Sequence, residues 1–171
     1  MRVVRLLHLR SLVSLALQLA VLGALIAAFF VRTPQVSGLS MEPHISSGEY
    51  VLINTLAYRF GSPEHGDIVA FRHEGVTPEI YIKRVIAVPG DSVRIDRGIV
   101  YVNNAALNEP YVRFEDKLSF TEITIPQHSV YVLGDNRANS EDSRIFGAVS
   151  DDALMGRALA GICPLAAIGA L

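Results

Sequence analysis

The chain has 171 residues, of which 50% are hydrophobic, so it is long enough for one domain with a buried core. Its 15 basic and 17 acidic residues give a net charge of −2, which argues against a nucleic-acid-binding protein. The single cysteine, Cys163, excludes an internal disulfide and a cysteine-based zinc site. The fold must therefore be held by its core, and the mean hydropathy of +0.34 is high for a soluble protein.

The first predicted element is an apolar helix over 11–31, a run without a charged side chain. At about 1.5 Å per residue, such a helix spans roughly 30 Å of hydrocarbon. Three arginines lie within 1–10, whereas only Arg32 follows closely, so the positive-inside rule places 1–10 in the cytoplasm and 32–171 outside. A cleaved signal peptide is the alternative, but its apolar core would be shorter and would end at small residues. We therefore predict a single-pass anchor in the cytoplasmic membrane.

Residues 32–171 are predicted to be mainly β, forming an antiparallel, barrel-like sheet. β-branched and aromatic runs recur between Gly, Pro, Asn and Asp turn residues, at 50–54, 67–71, 81–88, 92–95, 99–102, 122–125 and 129–133. No long helical pattern separates these runs, so βαβ units are not expected. A small hairpin subdomain is predicted within 92–133, with 93–95 paired to 100–102. The apolar stretch 158–171 is expected to supply a last strand and a tail near the membrane.

Several common catalytic motifs are absent from the sequence. There is no HExxH zinc motif, and there is no GxGxxG or Walker motif for nucleotides. Ser40 does not lie in a GxSxG nucleophile elbow, because Glu42 occupies the place of the second glycine. The histidines show no common spacing for a metal. We therefore predict no cofactor and no metal.

The loop SGLSMEP (37–43) is the first candidate site, because it places a serine shortly after the predicted helix. Gly38, two residues before Ser40, allows unusual backbone angles, and exposed N–H groups in such a loop can bind an oxyanion. The same composition is also typical of a plain turn.

Lys83 is the second candidate. Only Lys83 and Lys117 are lysines among the 15 basic residues, and lysine, unlike arginine, can lose its proton in a protein. Lys83 lies in YIKRVIAV (81–88), which is apolar enough for a central strand where burial lowers the pKa of lysine. The alternative is a lysine on an edge strand, with its ammonium group in solvent.

Four segments, in this order, resemble the sequence boxes of type I signal peptidases: SGLSMEP (37–43), GDIV (66–69), YIKRVIAVPGD (81–91) and GDNRANSEDSR (134–144). The resemblance implies a membrane-bound serine endopeptidase with a Ser/Lys dyad. It implies removal of N-terminal signal peptides from exported preproteins, after small residues at positions −1 and −3. The implied partners are these preproteins, the lipid bilayer and the nearby export machinery, without a cofactor or a nucleic acid.

The resemblance also implies individual roles around the dyad. Ser40 matches the nucleophile, whose backbone N–H is one oxyanion donor, and Lys83 matches the general base. Gly38 stands where some relatives have a serine that supplies a second donor, which leaves Ser37 as a candidate for that role. Met41 matches a methionine that lines the substrate cleft, although a lone methionine is more often ordinary packing.

The last box supplies supporting residues. Ser140 matches the serine that hydrogen-bonds and orients the lysine, and Asp142 and Arg144 match a supporting charged pair. Asp135 and Arg137 match residues that shape the adjoining loop. By composition alone, the same segment would be a solvated polar turn.

Two positions depart from the family pattern. His44 stands where threonine is usual, and Ala138 stands where aspartate is common. His44 raises the alternative of a Ser40/His44 pair, but a histidine four residues after the serine, beyond a proline, has poor geometry for that contact.

Two other functions remain open. One is a related Ser/Lys peptidase with a specialised client, such as a conjugation-linked enzyme. The other is a noncatalytic, membrane-tethered β domain that binds partners.

Overall fold

The computed structural model describes residues 2–73 and 79–162. Helix α1 (Arg2–Phe30) begins earlier than the expected helix over 11–31, and the side chains of 2–9, 11 and 26–29 lie outside the description. Among the described residues, no helix combines the length and the hydropathy needed to cross a membrane. The predicted anchor is therefore not confirmed. Residues 163–171 of the predicted tail also lie outside the described residues.

The prediction of a mainly β domain is confirmed, because eleven strands and only two further short α-helices follow in the described chain. The helices are α2 (Ala57–Phe60) and α3 (Ser143–Phe146). The strands are β1 (Val31–Arg32), β2 (Tyr50–Asn54), β3 (Ile68–His73), β4 (Glu79–Ala87), β5 (Ser92–Asp96), β6 (Ile99–Val102), β7 (Ala105–Ala106), β8 (Phe120–Thr124), β9 (Ser129–Leu133), β10 (Val149–Ser150) and β11 (Leu154–Ile162).

The strands form two antiparallel sheets. The larger has seven strands in the order β1-β2-β11-β3-β4-β9-β10 and curls into a half-barrel. The smaller has four strands in the order β7-β6-β5-β8. The predicted hairpin is present within the smaller sheet, where Val93 pairs with Val102 and Ile95 pairs with Val100.

Strand β4 is an interior strand, which is one of the two positions that the sequence analysis left open. It pairs with β3 on one side, with Val69 opposite Lys83, and with β9 on the other. Its second half is buried almost continuously, which is typical of a strand covered on both faces. The alternative of an edge-strand lysine is therefore wrong.

The elements that the sequence analysis missed are short or displaced. Strands β1, β7 and β10 have two residues each, too few to show an alternating pattern. Strand β11 begins at Leu154 rather than at 158, because its first residues pair with β3.

Three clusters of buried apolar side chains form the core, and one of them lies beneath the Ser40 loop. That cluster contains Met41, Ile45, Val51, Ile53, Ala70 and Ile82. Fully burying an aliphatic side chain of this size contributes about 1.5–3 kcal/mol. The loop that carries Ser40 is thus fixed to the sheet by its own apolar neighbours.

Candidate active site

Tight backbone turns position Ser40 above the sheet. The N–H of Glu42 donates to the carbonyl of Leu39 at 3.1 Å, and the N–H of Ile45 donates to the carbonyl of Met41 at 3.0 Å. Met41 is only 2% exposed and Ile45 only 4%, so the side chains at the start and the end of this turn are both packed in the core. The carbonyl of Ser40 also accepts the N–H of Asn136 at 3.0 Å, which ties the loop to the segment after β9.

Lys83 approaches Ser40 from strand β4. Its Nζ donates to Ser40 Oγ at 2.6 Å, and the residue is only 4% exposed. The ring of Tyr81, two residues earlier on the same face of the strand, lies 5.1 Å from Nζ. The structure thus brings together the serine and the lysine that the sequence analysis selected.

Burial lowers the pKa of Lys83 to about 8. The carboxylates of Asp142 and Glu141 act in the opposite direction, and the guanidinium of Arg144 adds to the lowering. An amine with this pKa is neutral in a useful fraction of molecules near neutral pH, and a neutral amine can accept a proton from a hydroxyl. The geometry and the pKa therefore both suit a Ser/Lys proton transfer.

Residues 37–40, which carry the candidate oxyanion donors, line the cleft beside the dyad. Gly38 has φ +121°, a conformation that L side chains rarely adopt. Its N–H donates to Ser47 Oγ at 3.3 Å, so it is partly occupied. Within the described chain, neither the Ser40 N–H nor the Ser37 hydroxyl has a hydrogen-bond partner. Both groups are thus available to an oxyanion, and their roles stay predictions.

Ser140 lies close to the dyad, but it does not make the expected hydrogen bond to Lys83. Its Oγ is buried and has no partner among the residues described. The Lys83 amine is engaged with Ser40 instead, while Ser140 Oγ packs against Gly134: a Cβ placed on that glycine would lie 2.3 Å from Ser140 Oγ and 2.6 Å from the Ser40 carbonyl oxygen. Gly134 therefore permits the close approach of both serines.

The charged side chains Asp135, Arg137 and Asp142 of the segment 134–144 are buried, so the interpretation as a solvated polar turn is wrong, although Ala138, Asn139 and Glu141 are exposed. Asp142 is 0% exposed, accepts Arg144 Nε at 2.7 Å and accepts the N–H of Gly134 at 3.0 Å. It also caps helix α3 by accepting the N–H of Arg144. Arg144 is further paired with Asp116. The expected charged pair is thus present, and it holds the backbone beside Ser140.

Asp135 and Arg137 form a second buried set of charges. Arg84 donates to both oxygens of Asp135, at 2.8 and 2.7 Å. Arg137 donates to the carbonyl of Gly134 at 2.9 Å and pairs with Glu109. These contacts fix the backbone of the loop that follows β9, as expected for residues that shape this loop.

His44 does not pair with Ser40. Its Nδ1 lies 3.3 Å from Asp135 Oδ2, and its ring meets Tyr111 edge to face at 6.5 Å between centroids. The turn that follows Ser40 directs the histidine away from the hydroxyl, toward the Asp135 carboxylate. Ser40 is instead bonded to Lys83.

A cleft of about 610 Å³ opens beside the dyad, with Ser37, Gly38 and Met41 among its lining residues. Met41 therefore borders the cleft while also packing in the core. The sequence analysis missed Glu79 and Glu141 as lining residues. The alternation of side chains along β4 could have found Glu79, which shares a face with Lys83, whereas the contact of Glu141 is set by the fold.

Within residues 2–73 and 79–162, no three His, Cys, Asp or Glu side chains are grouped in a way that could hold a metal ion.

Comparison with known proteins defines first the class and then the family. The chain is a serine peptidase, a hydrolase. It belongs to the family described as signal peptidase, peptidase S26, whose profile matches residues 9–162. This assignment supports removal of signal peptides as its activity, and it contradicts the alternative of a noncatalytic binding domain.

The relatives span most of the chain. A probable signal peptidase I-2 from Synechocystis sp. is 34% identical over 151 residues, covering 85% of this chain and 69% of its own length. A signal peptidase IB from Staphylococcus aureus is 33% identical over 164 residues, covering 85% of this chain and 84% of its own. A crystal structure of a signal peptidase I from Enterococcus faecalis is 30% identical, with a TM-score of 0.49, covering 57% of this chain and 97% of its own.

Proposed function

We propose that the protein is a membrane-bound serine endopeptidase that removes N-terminal signal peptides from exported preproteins, with Ser40 as nucleophile and Lys83 as general base. The observation that carries this proposal is the 2.6 Å contact between Lys83 Nζ and Ser40 Oγ, made by a lysine that is 4% exposed. The family assignment supports the class of substrate.

In the first step, the neutral amine of Lys83 takes the proton of the Ser40 hydroxyl while Oγ attacks the scissile carbonyl carbon. The carbonyl oxygen becomes an oxyanion, which the Ser40 N–H stabilises, with the Ser37 hydroxyl as a second candidate donor. The C–N bond then breaks, and Lys83 returns the proton to the leaving amine. This leaves the signal peptide as an ester on Ser40.

In the second step, Lys83 takes a proton from a water molecule that attacks the ester. The tetrahedral intermediate collapses, Ser40 regains its proton from Lys83, and the signal peptide leaves as a carboxylic acid, which releases its proton to solvent. Apolar side chains line the cleft, among them Val36, Met41 and Ile82. They favour small apolar residues at positions −1 and −3 of the substrate.

The proposal includes a membrane topology. Residues 11–31 cross the cytoplasmic membrane, 1–10 remain in the cytoplasm and 32–171 form the extracytoplasmic catalytic domain. The uncharged run and the arginines before it support this arrangement. Enzyme and signal peptide then share one bilayer, close to the export machinery.

The test compares the full-length protein with Lys83→Met, in detergent, on a preprotein with an Ala-x-Ala junction. Mass spectrometry locates the cut. We expect cleavage after the −1 residue and a loss of at least about 10³-fold in the variant, because methionine fills a similar volume but accepts no proton.

Lys117→Met is the matched control, since Lys117 is the other lysine and is exposed. Normal cleavage by Lys83→Met would contradict the dyad. A folded wild type that leaves this preprotein intact would favour a specialised client instead, which N-terminal sequencing of exported proteins after depletion would identify.

A further inference from the structure

The charged side chains among the described residues that line the cleft are Glu79, Lys83 and Glu141. Lys83 is engaged with Ser40. Glu141 is exposed, and its Oε2 accepts the hydroxyl of Tyr81 at 3.4 Å, which holds the carboxylate against the wall of the cleft. Neither glutamate forms an ion pair with a basic residue in the described part of the chain. Of the two, Glu141 is close enough to the Lys83 amine to raise its pKa, so the cleft is negatively charged when that amine is neutral.

The cleft extends from the dyad toward the end of helix α1. Ser40 and Lys83 mark one end, while Pro34 and Ile80 mark the other, where they also border a neighbouring cavity with Arg32. Arg32 follows helix α1 by only two residues. The cleft thus runs from the end of α1 to the dyad.

The length of the cleft wall can be expressed in substrate residues. Glu79 and Lys83 are four residues apart on one face of β4, which corresponds to about 13 Å of extended chain. In the proposed topology, the signal peptide enters from the bilayer, at the α1 end. About four residues that precede the scissile bond then lie along this wall.

Alternation in an extended substrate separates its side chains into two sets. Those at −1 and −3 share one side and are small, whereas those at −2 and −4 share the other and can carry charge. Lys83 must be neutral to act as a base. In that state, Glu79 and Glu141 are the charged side chains among the described residues that line the cleft, so the net charge of this lining is negative. A substrate side chain at −2 or −4 therefore meets a negative potential.

We propose that Glu79 and Glu141 make the cleft selective by charge, favouring preproteins with a basic side chain at −2 or −4 and disfavouring an acidic one. This inference rests on the proposed function and names a substrate class for the same site. Glu141, beside the dyad, acts on position −2. Glu79, at the far end of the wall, acts on position −4.

The test uses the full-length protein in nonionic detergent at one pH and low ionic strength. Preproteins with an Ala-x-Ala junction carry Lys, Ala or Glu at −2, and a second series carries them at −4. We expect kcat/KM to be about 3- to 10-fold higher for Lys than for Glu in each series, because each carboxylate attracts one and repels the other. Salt at about 0.5 M should reduce the ratio.

Three variants assign the effect to residues. Glu141→Gln should flatten the −2 series, and Glu79→Gln should flatten the −4 series. Glu122→Gln, which removes the same charge from an exposed position in β8, should leave both ratios unchanged. Because each ratio compares two substrates of one enzyme at one pH, any change in the pKa of Lys83 cancels.

Equal kcat/KM values for Lys and Glu substrates in the wild type would overturn the charge inference alone, provided that the Ala substrates are cut. Ratios that persist in both cleft variants would overturn it as well. If no substrate is cut, including those with Ala, the proposed function fails and the charge selectivity fails with it.

Discussion

Lys83 and Arg84 are adjacent in strand β4, but Lys83 contacts a neutral hydroxyl whereas Arg84 contacts a carboxylate. Lys83 is buried and bonded to a hydroxyl, and burial lowers its pKa to about 8. Arg84 is also largely buried, which opposes its charge, but two hydrogen bonds to Asp135 raise its pKa above the ordinary value. Its guanidinium further stacks on the ring of Tyr111, 4.1 Å from the centroid.

The comparison shows that burial alone does not decide the state of a cation. A buried cation with a bidentate carboxylate keeps its proton, whereas one that is bonded to a neutral group loses it more readily. Arg137 and Arg144 are likewise each paired with a carboxylate beside the site. Around the site, the buried arginines are paired with carboxylates, whereas the buried lysine is bonded to a neutral hydroxyl.

The largest expected effect comes from making Lys83 resemble its neighbour. Lys83→Arg should lower kcat/KM by at least about 10³-fold, because a guanidinium stays protonated and cannot act as a base. The measurement is cleavage of the Ala-x-Ala preprotein, with Lys117→Arg as the control. Substantial activity in Lys83→Arg would mean that the base lies elsewhere.

Removing the Asp135 carboxylate, which pairs with Arg84, should lower the free energy of unfolding. Asp135→Ala leaves Arg84 buried without its partner, and breaking such a pair costs about 3–5 kcal/mol. Denaturant unfolding of the full-length protein measures this loss. Asp96→Ala, which removes an exposed ion pair with Arg97, should cost less than about 1 kcal/mol. Equal effects of the two variants would contradict the contrast between buried and exposed pairs.

Lys83→Met should stabilise the protein near pH 7 while it abolishes activity. The folded-state pKa of about 8 lies below the ordinary value of 10.5, so burying the charged amine destabilises the fold. This cost is complete below pH 8 and disappears as the pH rises through 10.5. The gain at pH 7 is about 3 kcal/mol. Unfolding curves across this pH range measure it, and a gain that grows with pH would contradict the sign.

The smallest expected effect is a shift in the pH at which kcat/KM rises. Cleavage should rise with pH as Lys83 loses its proton, around pH 8. The Glu141 carboxylate raises the pKa of Lys83, so Glu141→Gln should move this rise toward lower pH. Profiles of kcat/KM for one substrate measure the shift, with Glu122→Gln as the matched variant. A shift toward higher pH would show that Glu141 does not favour the charged amine.

Most strands were predictable because each has enough residues to show its pattern. The predicted boundaries of 50–54 agree with β2, and those of 129–133 agree with β9. The apolar residues around Lys83 allowed either an interior or an edge strand, and the pairing of β4 with both β3 and β9 decided for the interior. Strands of two residues and the start of β11 were not predictable, because their pairing depends on partners far away in sequence.

The site was predictable only in part. Ser40 and Lys83 stood out by loop composition, by lysine usage and by their motifs. The contact of His44 with Asp135, and the lack of a hydrogen-bond partner for Ser140 Oγ among the residues described, could not be predicted, since both depend on how the loops pack. Glu141 likewise bonds to Tyr81 from a residue 60 positions away in the chain.

The sequence by itself determined the residue types available for chemistry, the succession of strands and the membership of a peptidase family. These properties are local, since they depend on side-chain chemistry and on spacing along the chain. The tertiary structure decided which groups meet: Lys83 with Ser40, Arg84 with Asp135, and Glu141 with the wall of the cleft. It also decided their protonation, because burial and the nearest partner set a pKa, and both arise only when distant segments pack together.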